Sequence, residues 1–203
     1  MSAEAKKKRT RIISFEGTDG VGKTTQVQML LEGLTRSGRR ATSPKLPMAR
    51  TATGRVIYGM LGSGSARRWP NAFQAIQLVD KLVPQLACLP FLLATQDYVV
   101  FDRWSTSSVV YGRVTGVPEP FLRLCERVLT RPDAVIIMSG ALHGRAREDD
   151  SYERSRELQA RAREEYAAWA RRNADIAVEV DASGPPEAVS SRIWGALVDR
   201  EVV

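Results

Sequence analysis

Residues 17–24 read Gly-Thr-Asp-Gly-Val-Gly-Lys-Thr and satisfy G-x-x-x-x-G-K-[ST] at every fixed position. The glycines at 17, 20 and 22 allow a tight turn whose successive N–H groups point inward at phosphate oxygens, helped by the positive end of the helix that follows. Lys23 supplies a mobile positive charge for the outer phosphates, and the Thr24 hydroxyl is a ligand for Mg²⁺. Gly17, Thr18, Asp19, Gly20, Val21, Gly22, Lys23, Thr24 and Thr25 are therefore the predicted nucleotide-phosphate contacts.

A second group of chemically able residues follows the apolar run Tyr98-Val99-Val100-Phe101, where Asp102-Arg103-Trp104 begins. An acidic residue at the carboxyl end of a strand can serve a metal, so Asp102 joins Thr24 as a candidate ligand. Arg103 offers a planar fork suited to one phosphate or two adjacent ones.

These residues need a scaffold, and the hydrophobic pattern supplies one. Ile12-Ile13-Ser14-Phe15 reads as a buried strand ahead of the glycine-rich loop, while Val27, Leu30, Leu31 and Leu34 recur at helical spacing up to a stop at Gly38. Further strands are predicted over 97–101, 134–138 and 176–180, with helical stretches between them. That alternation predicts an α/β fold, a parallel sheet with helices on both faces. A long helix is expected over 152–172, with Leu158, Ala162, Tyr166 and Trp169 inward, and Pro185-Pro186 opens a last helix that packs through Val189, Ile193 and Leu197. Segments 62–70, 112–120 and 140–151 read as polar or glycine-rich loops.

At 203 residues the chain suits a single domain over 11–203, preceded by a basic, flexible tail over 1–10. Its apolar runs fall short of the roughly 20 residues that a membrane helix needs, and no apolar secretory signal opens it, so a cytoplasmic enzyme without a membrane partner is expected. The net charge of +7 invites nucleic acid as a partner. Lys6-Lys7-Lys8-Arg9 precedes the first strand and reads as a solvated tail, and polyphosphate ligands demand positive charge themselves, so no nucleic-acid partner is expected. Cys88 and Cys125 have no metal or disulfide spacing and read as buried, reduced thiols. His143, the one histidine, cannot build a metal cluster.

The motifs together resemble a known family. Residues 15–26, F-E-G-T-D-G-V-G-K-T-T-Q, are similar to the opening of thymidylate kinases, and residues 102–111, D-R-W-S-T-S-S-V-V-Y, resemble that family's second motif in order and spacing. Asp150-Ser151-Tyr152-Glu153-Arg154, with Leu158, Gln159 and Tyr166, resembles the segment that opens the long helix after the lid. Leu129, Pro132 and Asp133 also fit. The resemblance implies a P-loop NTPase fold with a lid over about 140–151. It also implies Mg²⁺-dependent transfer of the ATP γ-phosphoryl group to thymidine 5′-monophosphate, and a homodimer formed through helices within 73–93.

It further implies a role for each residue. Lys23 and the loop amides cradle the donor, Thr24 and Asp102 hold the metal, Arg103 clamps the acceptor phosphate and Asp19 faces the 3′-hydroxyl of the acceptor sugar. Tyr111 closes the space beside C2′, Ser107 and Ser108 line the base pocket, and Tyr152 and Glu153 complete the acceptor site. No general base is required, because the acceptor phosphate is already an anion and catalysis reduces to alignment and charge neutralisation. Some members carry an arginine where this chain has Val21, so Arg145 and Arg147 of the lid are the expected source of the extra positive charge.

The sequence departs from the family pattern around the acceptor. Arg50, in Pro47-Met48-Ala49-Arg50, stands in for the usual Glu or Arg. The family's F-x-x-D-R becomes Gln77-Leu78-Val79-Asp80-Lys81, which leaves Phe73 as the candidate to stack on the base and Lys81 as the candidate donor to its carbonyl. Gly112 replaces a common Gln and is expected to open the pocket. Two alternatives accompany the thymidylate reading: a kinase for another deoxynucleotide such as a 5-substituted dUMP, and a non-catalytic nucleotide-binding protein. Retention of Lys23, Thr24, Asp102 and Arg103 argues against the second alternative.

Overall fold

Strand β1 (Arg11–Glu16) occupies the middle of a five-stranded parallel sheet with the order β2-β3-β1-β4-β5. The other strands are β2 (Ala41–Thr42), β3 (Tyr98–Asp102), β4 (Ala134–Ser139) and β5 (Ala177–Asp181). The computed structural model describes residues 9–47, 50–140 and 156–203. Its helices are α1 (Lys23–Arg36), α2 (Ala52–Gly62), α3 (Ser65–Arg68), α4 (Pro70–Ala87), α5 (Leu89–Thr95), α6 (Ser105–Val114), α7 (Glu119–Val128), α8 (Arg156–Arg172) and α9 (Pro186–Asp199).

Side chains alternate across a strand, and β1 divides them cleanly. Ile13 and Phe15 face α1 and α9, where Val27, Leu30, Leu34, Val189, Ile193 and Leu197 bury the apolar stripes expected of those helices. Ile12, Ser14 and Glu16 lie on the opposite face, which α4 to α8 cover. Leu158, Ala162, Tyr166 and Trp169 of α8 are all buried, in agreement with their predicted face.

The connections after β1 and β3 leave in opposite directions, one toward β2 and the other toward β4. A crevice therefore opens between the carboxyl ends of these two neighbours. Register pairs Phe15 with Asp102, so the glycine-rich loop and the Asp102 turn leave the sheet side by side. The sheet brings both predicted chemical groups to one edge.

Several expectations need correction. The segment 62–70 is not a plain loop: it contains α3, and Pro70 takes the first position of α4, where its missing N–H costs nothing. Within 112–120 only 115–118 are non-helical, because α6 continues through Val114 and α7 starts at Glu119. The short β2 has no counterpart in the sequence reading, since two residues carry no periodicity. The other strands fall within a residue of their predicted bounds. Cys125 is buried as expected, whereas Cys88, between α4 and α5, is exposed. Thr10, assigned to the tail, is already held: it is buried and its hydroxyl donates to the carbonyls of Leu93 (2.7 Å) and Gln96 (2.8 Å). Residues 1–8, most of the lid and His143 lie outside the described residues.

Candidate active site

The loop after β1 depends on glycine where the sheet is tightest. Gly17 has φ +137°, and a Cβ there would sit 2.5 Å from the Met138 carbonyl oxygen at the end of β4. No other residue passes so close to that strand without strain. Gly22, at φ 90°, ends the loop as the cap of α1. Gln26 then ties α1 to the start of α9, its amide donating to the Pro186 carbonyl at 2.9 Å.

Lys23 is buried, and its ammonium donates to the carbonyls of Gly17 (3.1 Å) and Thr18 (2.8 Å). The same ammonium stands 3.9 Å from Asp19 Oδ1. Arg103 reaches that carboxylate from the other strand, with Nη2 donating to Asp19 Oδ1. One acidic side chain thus holds a cation from each of the two turns. Thr24 Oγ1 donates to Asp102 Oδ2 at 2.7 Å, so the two predicted metal ligands are adjacent. Among the described residues no group of three or more His, Cys, Asp or Glu side chains is arranged for a metal. A hydroxyl and a carboxylate alone suit Mg²⁺, which keeps several waters and takes other ligands from substrate phosphates. The residues present fit that ion.

Arg103 is set unusually. It has φ 68°, in the left-handed region that a non-glycine residue seldom occupies. Its backbone N–H donates to the Phe15 carbonyl at 2.9 Å, and its guanidinium carbon lies 5.5 Å from the centroid of the Tyr111 ring. Tyr111 meets Tyr166 of α8 edge to face at 6.3 Å. The Phe15 carbonyl, the Tyr111 ring and the Asp19 carboxylate hold the residue in that conformation.

Beneath Arg103 lies a fully buried carboxylate that sequence reasoning did not select. Glu16 ends β1, accepts the Trp104 N–H at 2.8 Å through Oε1 and takes the Ser107 hydroxyl through Oε2. Ser107 also lies 3.1 Å from the Tyr166 hydroxyl. Burial pushes the Glu16 carboxyl above its usual range; the Ser107 hydroxyl and Trp104 amide work against that rise, followed by the charges of Arg103 and Lys81. The signal was available, since a Glu at an inward position of a buried strand demands partners.

The residues predicted for the acceptor side fall mainly on α4 and α6. Ser107, Ser108 and Tyr111 line one helix, α6, and all are buried. Lys81 instead turns inward: its ammonium donates to the Trp104 carbonyl (3.0 Å) and to Ser108 Oγ (2.5 Å). Burial lowers its pKa to about 8, although the charges of Glu16, Cys125 and Asp80 raise it. Phe73 is 1% exposed and packs in the core beneath α6, so its ring faces are covered by protein. Gln77 is half-buried. Asp80 is buried and accepts the Thr53 hydroxyl at 2.6 Å, which ties α4 to the start of α2, beside the exposed Arg50. Gly112 does not open a pocket. A Cβ there would lie 2.4 Å from Leu122 Cδ2, so the position serves the close packing of α6 on α7. Arg145, Arg147, Tyr152 and Glu153 lie outside the described residues.

A phosphate-binding loop, an Asp-Arg turn beside it and a parallel sheet of order β2-β3-β1-β4-β5 define a P-loop protein built for handling nucleotide phosphates. A family model for thymidylate kinase matches residues 15–193, and the chain belongs to that family. It is 29% identical over 196 residues to the thymidylate kinase of Synechococcus sp. (strain JA-3-3Ab), covering 93% of this chain and 95% of that one. The probable thymidylate kinase of Thermococcus onnurineus (strain NA1) is 28% identical over 205 residues, covering 94% and 98% respectively. The fold is similar to that of thymidylate kinase from Candida albicans, with a TM-score of 0.76 at 19% identity, over 96% of this chain and 93% of that one.

Proposed function

We propose that the protein is a nucleoside monophosphate kinase that transfers the γ-phosphoryl group of ATP to thymidine 5′-monophosphate, giving ADP and the diphosphate. The observation that carries this reading is the convergence of Lys23 and Arg103, from neighbouring strand ends, on Asp19. A donor phosphate bound at the first cation and an acceptor phosphate bound at the second are thereby brought together. Family membership supplies the nucleotide identities.

When ligands arrive, Lys23 exchanges the carbonyls of Gly17 and Thr18 for donor phosphate oxygens. Arg103 exchanges Asp19 for the acceptor phosphate, which frees the carboxylate to accept a hydrogen bond from the sugar's 3′-hydroxyl. Thr24 and Asp102 would hold Mg²⁺, which supplies charge neutralisation on the transferring group. Tyr111 is packed against Arg103 and fixes where the acceptor sugar can lie. Arg145 and Arg147 supply the remaining positive charge from the lid. The acceptor phosphate needs no general base, so rate comes from alignment and electrostatics.

Ser107 and Ser108 are each engaged within the protein, by Glu16 and Lys81. Among the described residues no single helix is long and apolar enough to cross a membrane; α4 and α5 pass only as a pair bent by 46°. Exposed Val79, Val83 and Leu86 recur at helical spacing along α4 and support pairing with a second copy of the chain. Small nucleotides are its ligands and the cytoplasm its place of work.

The test is a panel of nucleoside monophosphates with ATP and Mg²⁺, followed by ADP release. Preferred turnover of dTMP is expected. Preference for another deoxynucleotide, such as a 5-substituted dUMP, would change the acceptor, and no turnover across the panel would remove the enzyme reading.

A further inference from the structure

Trp104 is the residue through which Arg103 joins α6, and every polar group it owns is taken. Its indole N–H donates to the Thr130 carbonyl at 2.9 Å, and its ring stacks on Phe101 at 4.2 Å between centroids. Its backbone is held on both sides of Cα by opposite charges. The N–H goes to the Glu16 carboxylate at 2.8 Å, from the strand that leads into the phosphate loop. The carbonyl receives the Lys81 ammonium at 3.0 Å, from the helix on the acceptor side. Both charged side chains are buried.

We propose that Glu16 and Lys81 are positioning residues that clamp the Trp104 backbone through the two peptide groups that flank its Cα, holding Arg103 in its left-handed conformation and its guanidinium over Asp19. The proposal rests on the kinase reading above. Three observations carry it. Arg103 at φ 68° would relax toward an ordinary conformation unless the residue after it were fixed. Burying a carboxylate and an ammonium costs free energy that a merely packed core would avoid with apolar residues, so their presence on either side of one residue's backbone points to placement. The clamp also extends to neighbouring elements: Ser107 links Glu16 to Tyr166 of α8, and Ser108 receives the second Lys81 hydrogen bond. The assignment takes Lys81 out of direct contact with the acceptor base. Its effect on turnover passes through Arg103.

A double-mutant cycle separates this from a structural role and from direct base contact. Lys81→Met, Glu16→Gln and the neutral pair E16Q/K81M are each made in the natural background and with Arg103→Ala, and kcat and KM are measured for ATP and for dTMP. With Arg103 present, either single change should lower kcat about 10-fold or more, as expected for a misplaced reacting group. The KM for ATP should stay within about 2-fold, because the phosphate loop is untouched. With Arg103→Ala, the same changes should add no further loss. Multiplied losses in that background would overturn the proposal, as would unchanged kcat in Lys81→Met. Should a single variant fail to fold, the neutral pair decides, since it leaves no buried charge without a partner. Its thermal stability should return toward that of the natural protein while its kcat stays low, and recovery of both together would overturn the clamp. Silence of the unsubstituted protein across the monophosphate panel would overturn the kinase reading and this inference with it. An active protein with multiplying losses overturns the inference alone.

Discussion

Lys23 is the side chain on which phosphate binding turns, because it is the buried cation of the loop and already spans two of its carbonyls. Lys23→Ala should lower kcat by about 10³-fold or more, with an unchanged far-ultraviolet circular dichroism spectrum; near-normal turnover would remove its role. Lys81 makes a second expectation, for stability rather than rate. Its proton is released near pH 8 in the folded chain and near 10.5 in the unfolded one. Between those values the unfolded state binds more protons, so raising the pH through that window should stabilise the fold, and the gain should be lost as pH falls through about 8. The groups facing Lys81 are Glu16, Arg103, Asp80 and Cys125. Urea denaturation at pH 7.5 and 10, compared with Lys81→Met, checks this: the natural protein should gain relative to the variant. Lys23, Thr24, Asp102 and Arg103 were legible from the sequence because loop chemistry is local. Glu16 and the inward turn of Lys81 were not, because their partners come from elements distant in sequence.

At the level of elements, the periodic segments around β1, α1, α8 and α9 could be read directly, since their apolar stripes are long enough to define a face. Glycines misled where packing, not turning, explains them. Gly112 sits inside α6 and lets α7 approach, with Leu122 fully buried against it. Gly112→Ala should cost about 1–3 kcal/mol by overpacking, a loss that equilibrium denaturation would register and that an unchanged midpoint would refute. Arg113 reinforces the same junction, donating to Glu119 (2.7 Å) and Glu165 (2.7 Å), so α6, α7 and α8 are cross-linked at the C-terminal end of α6. Hydrogen bonding to Arg113 is the main reason the Glu119 carboxyl lies below its usual range. The boundaries at 62–70 and 112–120 were missed because short helices bounded by Gly and Pro share their composition with loops.

On the scale of the whole molecule, α4 carries its largest exposed apolar side chains in a line, with Leu86 at 73% exposure and Val83 at 56%. A stripe of that kind seeks cover. Leu86→Glu should convert a dimer to a monomer in sedimentation equilibrium while leaving the fold intact, and an unchanged mass would place any interface elsewhere. The parallel sheet has a further effect on the protein before it meets any nucleotide. By setting the ends of β1 and β3 level, it makes Asp19 an internal counter-charge shared by Lys23 and Arg103. The resting molecule is therefore not a bare trap of mutually repelling cations. Each incoming polyanion must outcompete a resident carboxylate, so weakly charged bystanders such as chloride or a nucleoside without phosphate gain little by entering.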